Sequence, residues 1–327
     1  MAATPISATV VHWNQPERCL DTMRTLVDQG HPLDVRVVDN GSRPEARSAL
    51  VAGLDELAAR PDVRSLELVD LEGNQGFGPA ANAGLGPWLR TGVGEWALVA
   101  PHDVLVAPGT LSAILSAVSE RPRVGLVSAD VGDGASPVVD RYLGGISEEA
   151  AVTEGYEPAD HPHGTFLLVR RACVADVGLF DERYFAYCEE ADLALRARAS
   201  GWEVGLVRGA LVGNPHMTTA SAAVDYLQVR NTLLLLRDHF RRYAATVRTV
   251  IAVLDLLDGL LRPARRPPFF SVEARLLAIS DFLRSRWGAP PRRLQHAEAD
   301  PSREPLSQGP ARSPRSAAAT TGRTLSR

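Results

Sequence analysis

Ile6-Ser-Ala-Thr-Val-Val-His12, followed by Trp13-Asn14-Gln15-Pro16-Glu17, sets the architecture of the chain. The first seven residues are short and rich in β-branched types, which reads as a strand. Pro16-Glu17 then opens a helix, because Pro loses nothing at a first helical position whose N–H has no partner. Leu20, Met23 and Leu26-Val27 follow at helical spacing and predict its buried stripe. The same order repeats downstream. A strand at Val35–Val38 stops at the turn Asp39-Asn40-Gly41-Ser42, and a helix follows over about 44–59. Ser65–Val69 is the next strand, then the loop Gly73-Asn74-Gln75-Gly76-Phe77-Gly78, a helix over Pro79–Leu89 and a strand at Trp96–Ala100. A helix over about 108–119 and a strand near Val124–Ser128 continue the alternation. This pattern predicts an α/β fold, a Rossmann-like mostly parallel sheet flanked by helices, with ligands at the carboxyl ends of the strands.

Asn14, Asp39, Asn74 and His102-Asp103 all fall at those strand ends. Any one such cluster is explained by turn and capping chemistry. Four successive loops on one sheet edge point instead to a shared ligand site.

The composition narrows the classes. The chain has 327 residues and a net charge of −4, which disfavours wholesale nucleic-acid binding. All 35 basic residues are arginine, so a lysine Schiff base and a phosphate-loop lysine are excluded. Cys19, Cys173 and Cys188 show no metal-ligand spacing, and they read as reduced cytosolic thiols. The first residues lack the charged and apolar regions of a secretory signal. No stretch reaches the roughly 18 apolar residues of a membrane span. The expected location is therefore the cytoplasm, or the inner face of the membrane as a peripheral protein.

The second half centres on Thr165–Val169, a short apolar strand, a turn at Gly178, and a helix that opens on Glu189-Glu190. Carboxylates in a first helical turn complement the peptide dipole, and such a carboxylate can also serve as a general base. Asp192 and Arg196 lie four apart and predict a pair along that helix. Arg170-Arg171 follow the strand, with help to a phosphate and a solvated turn as the two readings. Gly132–Ala159 has weak periodicity and is expected as an irregular excursion over the site. Trp202–Val207 and Ala210–Val212 read as two short strands leading to His216. From Tyr226 the chain becomes helical and basic, through 244–261 and 271–287. Those helices either lie on an anionic membrane surface or pack on the sheet and on each other. Residues 289–327, rich in Pro, Ser, Ala and Arg, read as a disordered tail.

In order and spacing, several runs carry a resemblance. They are Asp39-Asn-Gly-Ser, Gly73-Asn-Gln-Gly-Phe-Gly-Pro-Ala-Ala-Asn82, Pro101-His-Asp103, Arg170-Arg171, Val177-Gly-Leu-Phe-Asp-Glu-Arg-Tyr-Phe185, Tyr187-Cys-Glu-Glu-Ala-Asp192, His216 and Tyr226-Leu-Gln-Val-Arg-Asn231. Over about residues 6–240 the chain resembles the family 2 inverting glycosyltransferases of GT-A fold, especially bacterial rhamnosyltransferase-like members. The resemblance implies a GT-A domain over 1–225, with a nucleotide-sugar half to about 130 and an acceptor half over about 131–225. C-terminal helices over 226–288 and the tail follow it.

It implies a donor site of Trp13, Asn14, Asp39, Asn74, Gly76, His102 and Asp103 for a nucleoside-diphosphate sugar. In that site Asp39 meets the base, and Gly76 allows close approach of the backbone. Asp103 matches the last acid of the family's metal motif and would hold Mg²⁺ or Mn²⁺ on the donor diphosphate, with His216 as a further ligand. Read on its own, His216 is a surface loop histidine. Glu190 matches the catalytic base, where the family usually has Asp; Glu189 is the alternative. His102 stands where many relatives have Pro or Asp, which leaves Asp103 the lone acid of its motif. The implied activity is metal-dependent inverting transfer of a sugar, rhamnose at family level, to a hydroxyl of a saccharide, lipid-linked or small-molecule acceptor. Two other readings stay open. One is a non-catalytic sugar-nucleotide-binding or partner protein of the same fold. The other is a sugar-phosphate nucleotidyltransferase, which the absence of a basic Gly-rich run after the first strand disfavours.

Overall fold

In the computed structural model, which describes residues 4–91, 94–214, 221–267 and 269–295, the alternating half of the chain winds in the expected order. It runs β1 (Ile6–His12), α1 (Pro16–Val27), β2 (Leu33–Asp39), α2 (Pro44–Ala58), β3 (Val63–Asp70), α3 (Phe77–Thr91) and β4 (Trp96–Pro101). β5 (Leu105–Val106), α4 (Thr110–Val118) and β6 (Val124–Asp130) follow. β1 pairs in parallel with β2 and β4, and β2 with β3. Every residue of β1 is buried, because helices cover both faces of a parallel sheet. Ile6, Ala8 and Val10 pack with Met23, Leu26, Leu50 and Ile114 on one face. Val11, Val38 and Val99 pack with Ala81, Leu85 and Leu193 on the other. The stripe of α1 needs one correction: Leu20 is only half-buried and lies against Gly53 of α2, while the fully buried Cys19 takes the inward position.

The second half completes the sheet. β10 (Leu167–Arg170) lies antiparallel between β4 and β6. β11 (Glu203–Gly213) runs parallel to β6 with a register shift between Val207 and Leu211, so the two short strands expected there are one bulged strand. Among the described residues the order is β3-β2-β1-β4-β10-β6-β11-β5, with a further strand on β11. The expected irregular excursion over 132–159 is also corrected. β7 (Ala135–Asp140) and β8 (Gly144–Glu149) form an antiparallel hairpin, and β9 (Gly155–Pro158) adds to β11. Buried Arg208 ties this region together by donating to Glu157, Asp130, Ser136 and the Ala135 carbonyl.

α5 (Arg171–Val177) and α6 (Glu189–Ala199) cover the sheet, and α7 (Ala222–Leu261), α8 (Val272–Leu283) and α9 (Arg292–Gln295) extend it. Arg241, with φ 70°, divides α7 into two arms. α8 docks on the first arm: Tyr226 donates to Asp281 at 3.0 Å, Arg275 pairs with Asp225, and Arg237 stacks on Phe282. The stretch from 289, expected as disordered tail, stays ordered to Gln295, where α9 buries Leu294 in the cluster of Tyr226 and Ala278. The rest of the tail lies outside the described residues. Among the described residues no helix is long and apolar enough to cross a membrane. The helices pack on the sheet domain and on one another, yet Val250, Leu254, Leu257 and Leu261 face outward and exposed.

Candidate active site

His12 and Asp39 end adjacent parallel strands and are register partners. Both are buried, so each must find a polar partner. His12 Nδ1 donates to Asp39 Oδ1 at 3.0 Å, and the Gln15 N–H donates to Nε2 at 3.1 Å. That pair of bonds selects one neutral tautomer, and burial lowers the imidazole pKa further. Ser42 donates to the same Asp39 oxygen. Oδ2 of Asp39 makes no hydrogen bond among the described residues and is the oxygen left for a ligand. Asn14, with φ 58°, ties this loop to the next: its N–H donates to Ser42 Oγ and its carboxamide oxygen accepts from Arg43 N–H, both at 2.8 Å. Trp13 is exposed beside it.

Asn40 joins this turn to the following loop, donating to Asn74 Oδ1 and to the Gly76 carbonyl and accepting from Gln75 N–H. Asn74 Oδ1 also accepts from Gly76 N–H at 2.9 Å, so this oxygen holds its own loop. Gly76 has φ 93°, and a Cβ there would lie 2.0 Å from the Phe185 carbonyl oxygen. On the side where a Cβ would stand, the backbone that approaches Gly76 is that of the Phe185 loop. Phe77 N–H donates to the same carbonyl at 2.6 Å.

His102 and Asp103 follow β4 and are half-buried. His102 Nδ1 donates to the Val11 carbonyl at 3.2 Å, which leaves Nε2 a bare lone pair; that atom is buried without a partner. Among the described residues no three His, Cys, Asp or Glu gather as a metal cluster. One carboxylate and a neighbouring imidazole fit a divalent ion that takes its other ligands from phosphates and water, not an all-protein cage. His216 lies outside the described residues.

The two glutamates part company. Glu189 is 6% exposed, its Oε2 has no partner, and its Cβ lies near Gly78 at the start of α3. Burial, then the charge of Glu190, holds its pKa well above the ordinary range. Glu190 is half-buried and faces a cavity of about 420 Å³ that Tyr187, Thr232, Arg248 and Arg275 also line. The Glu190 carboxyl carbon lies 3.9 Å from a Cβ built on Gly164. Leu167 pairs with Val99, so the chain entering β10 through His163 and Gly164 arrives at the edge where β4 leaves for His102 and Asp103. One sheet edge thus gathers Asp39, Asp103 and Glu190.

The loop before α6 is strained. Phe185, Tyr187 and Cys188 have φ values of 60°, 69° and 73°, rare for residues with a Cβ. Asn231 of α7 holds it by donating from Nδ2 to the carbonyls of Tyr184, Ala186 and Tyr187. Buried Arg230 donates to Asn231 Oδ1 at 3.0 Å and to Tyr226 at 3.1 Å. The predicted Asp192–Arg196 pair forms, and His239 meets the other Asp192 oxygen at 2.8 Å. Arg170 and Arg171 do neither of the things expected of them. Arg170 is buried on Trp96 and donates to the Val124 and Arg121 carbonyls, and Arg171 donates to those of Gly94 and Trp88. Both sit where β4 begins, at the opposite sheet edge. Neither His12 nor Asn231 stands out by residue type. The available signals were a histidine closing a strand of otherwise small and β-branched residues, and an Asn that ends the run Tyr226–Asn231 just before the leucines of the same helix.

Comparison with known proteins adds the following. A family model described as "Glycosyltransferase like family 2" matches residues 3–232. N-acetylglucosaminyl-diphospho-decaprenol L-rhamnosyltransferase of Mycobacterium tuberculosis is 33% identical over 201 residues, 52% of this chain and 62% of the relative. The match thus spans less than two thirds of that relative's length. Among solved structures, a mannosyltransferase from Pyrobaculum calidifontis in complex with GDP-Man and Mn²⁺ superposes with a TM-score of 0.56 at 16% identity. It covers 88% of this chain and 89% of its own. GalNAc-T7 with UDP, GalNAc and Mn²⁺ gives 0.58 at 12% identity, over 88% of this chain and 59% of its own. At such identities the likeness is one of fold.

Proposed function

The chain belongs to the glycosyltransferase-like family 2, and from that premise we propose that it transfers a sugar from a nucleoside-diphosphate donor to an acceptor hydroxyl with inversion. Rhamnose is the proposed sugar, supported by the sugar in the mycobacterial relative's name. The observation that carries the reading is the placement of Glu190: of the carboxylates that line the cavity, it is the one beside Gly164, at the sheet edge that also holds Asp39 and Asp103.

Each residue's part follows from its surroundings. Asp39, oriented by His12 and Ser42, offers Oδ2 to the nucleotide, with exposed Trp13 and the Asn74–Gly76 loop beside it. Glu190 accepts the proton of the acceptor hydroxyl. The oxygen forms its bond to the anomeric carbon as the opposite bond to the diphosphate breaks, and the electron pair leaves with the nucleoside diphosphate. Asp103, with His102 Nε2 beside it and His216 as the further ligand that the family resemblance implies, would hold Mg²⁺ or Mn²⁺. When bound, that ion offsets charge on the leaving diphosphate. The inaccessible Glu189 takes no proton from the acceptor on this reading. Residues 1–225 form the transferase unit, with the donor half to about 130. The exposed aliphatic row of α7 lies against a membrane surface.

The test is release of nucleoside diphosphate and formation of glycosylated acceptor, measured with Mn²⁺ for the full chain and for Glu190→Gln. A general base contributes about 10²–10⁴-fold, so E190Q should lose transfer by that factor while keeping its donor affinity and thermal midpoint. Near-normal transfer by folded E190Q would remove Glu190 from the role.

A further inference from the structure

Arg230, in the first arm of α7, is fully buried, and among the described residues no carboxylate pairs with it directly. Burial disfavours its charged form, and Tyr226 and then Asp281 offset part of that penalty. Its Nη2 is sealed from solvent without a partner. An apolar side chain of like volume in such a place is often no less stable, so stability alone does not account for the cation. What the guanidinium adds is direction: it can only donate, and it orients whatever accepts from it.

Arg230 has an acceptor on each side. Its Nε donates to Asn231 Oδ1 at 3.0 Å, which sets that carboxamide with its oxygen towards the cation and its nitrogen towards the loop before α6. The nitrogen then donates to the carbonyls of Tyr184, Ala186 and Tyr187 at 2.7, 2.8 and 2.9 Å. A flipped carboxamide would turn its oxygen to those three carbonyls and lose every one of the bonds. On the other side, Arg230 Nη1 donates to the Tyr226 hydroxyl at 3.1 Å, and that hydroxyl gives its one proton to Asp281 Oδ2 at 3.0 Å. Asp281, on α8, is itself 9% exposed, and its other oxygen meets the exposed Arg286 at 3.7 Å. Each link therefore has one direction, from the strained loop back to a carboxylate on α8.

We propose that Asp281 is a positioning residue for transfer: through Tyr226, Arg230 and Asn231 it fixes the loop Tyr184–Cys188 and so presents Glu190 to the acceptor. Asp281 touches no substrate itself. The role of Glu190 rests on the transfer reading, whereas the hold on the loop is independent of it. Asp281 also lies beyond residue 232, where the match to the family model ends, so α8 supplies the outermost anchor of a loop that the matched region carries.

Cys188 makes the position of the loop readable without turnover, because it is the half-buried thiol, whereas Cys19 and Cys173 are sealed in the core. The full chain, as wild type, Tyr226→Phe, Asp281→Ala and Asp281→Asn, is labelled with dithiobis(nitrobenzoate), and each cysteine is followed by peptide mass spectrometry. Y226F and D281A should speed labelling of Cys188 about fivefold, the factor that one hydrogen bond is worth, and leave Cys19 and Cys173 as slow as before. D281N keeps an acceptor for the Tyr226 hydroxyl and should recover most of the difference. In transfer, Y226F and D281A should raise the acceptor KM by a similar factor with the donor KM unchanged. Wild-type labelling of Cys188 in both variants would overturn the relay, as would D281N behaving like D281A. Equal acceleration of all three thiols would overturn it too, since that marks general loosening of the fold. An unchanged acceptor KM beside faster Cys188 labelling would end the positioning role. Selective exposure of Cys188 in the variants, with no transfer by the wild type, would sink the catalytic reading and keep the relay.

Discussion

Adjacent glutamates at one helix start meet different fates because a helix turns each residue about 100° from the last. Glu189 points into the packing between α6 and α3, and Glu190 into the cavity. The burial of Glu189 has a measurable consequence. Between the ordinary glutamate pKa of about 4.3 and the raised value in the fold, the unfolded chain loses a proton that the folded chain keeps. Stability therefore falls as pH rises through that window. Glu189→Gln removes the titration, so its thermal midpoint should exceed that of the wild type at pH 8 and converge on it near pH 4. Each kcal/mol is worth about 2–4 °C in a chain of this size class. Equal midpoints at pH 8 would show that Glu189 is not held protonated. E189Q should also keep most of its transfer activity, unlike E190Q. In the sequence the pair was legible as helix-opening acids, and the resemblance favoured the second. Which one is sealed was not legible, because it depends on Gly78 of a distant helix. His12 is a similar case: its strand was readable, but its bond to Asp39 required the β1–β2 register.

At the scale of elements, the periodic parts were readable and the strained ones were not. From β1 to α4, all but the unpredicted two-residue β5 carry their pattern in apolar spacing and in Pro at helix starts, and they formed within a few residues of expectation. The β7–β8 hairpin was missed because its strands carry small and acidic residues, with little apolar alternation. The loop Phe185–Cys188 was missed for a deeper reason: left-handed conformations at Phe, Tyr and Cys run against local preference, so only tertiary partners can specify them. Asn231 is such a partner. Asn231→Ala strands three carbonyls, and a buried unsatisfied group costs about 1–3 kcal/mol. Relaxation of the loop should offset part of that, so the net loss should be about 2–4 kcal/mol in denaturant unfolding. Because the loop carries Cys188 into Glu189-Glu190, transfer should fall as well, with acceptor KM rising more than donor KM. A stable N231A whose acceptor KM is unchanged would show that the clamp does not set the position of Glu190.

On the scale of the whole molecule, charge and apolar exposure are unevenly distributed. The chain carries −4 overall, yet residues 241–295 contain eleven arginines against four acids. The same segment displays Tyr243, Val250, Leu254, Leu257, Leu261 and Leu283 to solvent. The sequence disclosed this composition. It did not disclose the break at Arg241, where neither Gly nor Pro marks a bend, nor which leucines face inward. A basic surface studded with aliphatic residues is suited to an anionic bilayer, where each arginine near the headgroups contributes about 1 kcal/mol and weakens within a Debye length as salt rises. Co-sedimentation with phosphatidylglycerol vesicles should therefore capture the full chain, and phosphatidylcholine vesicles should capture little. Raising salt from about 0.05 to about 0.5 M should release a large part of it, since the Debye length shrinks severalfold over that range. The aliphatic contribution is separable. Replacing Leu254 and Leu261 with Ser keeps every charge, and these exposed positions contribute little to the core. The variant should still bind at low salt but be released at a lower salt concentration than the wild type, with the same thermal midpoint. If the two proteins detach at the same salt concentration, the aliphatic row does not enter the bilayer, and its exposure must serve another surface.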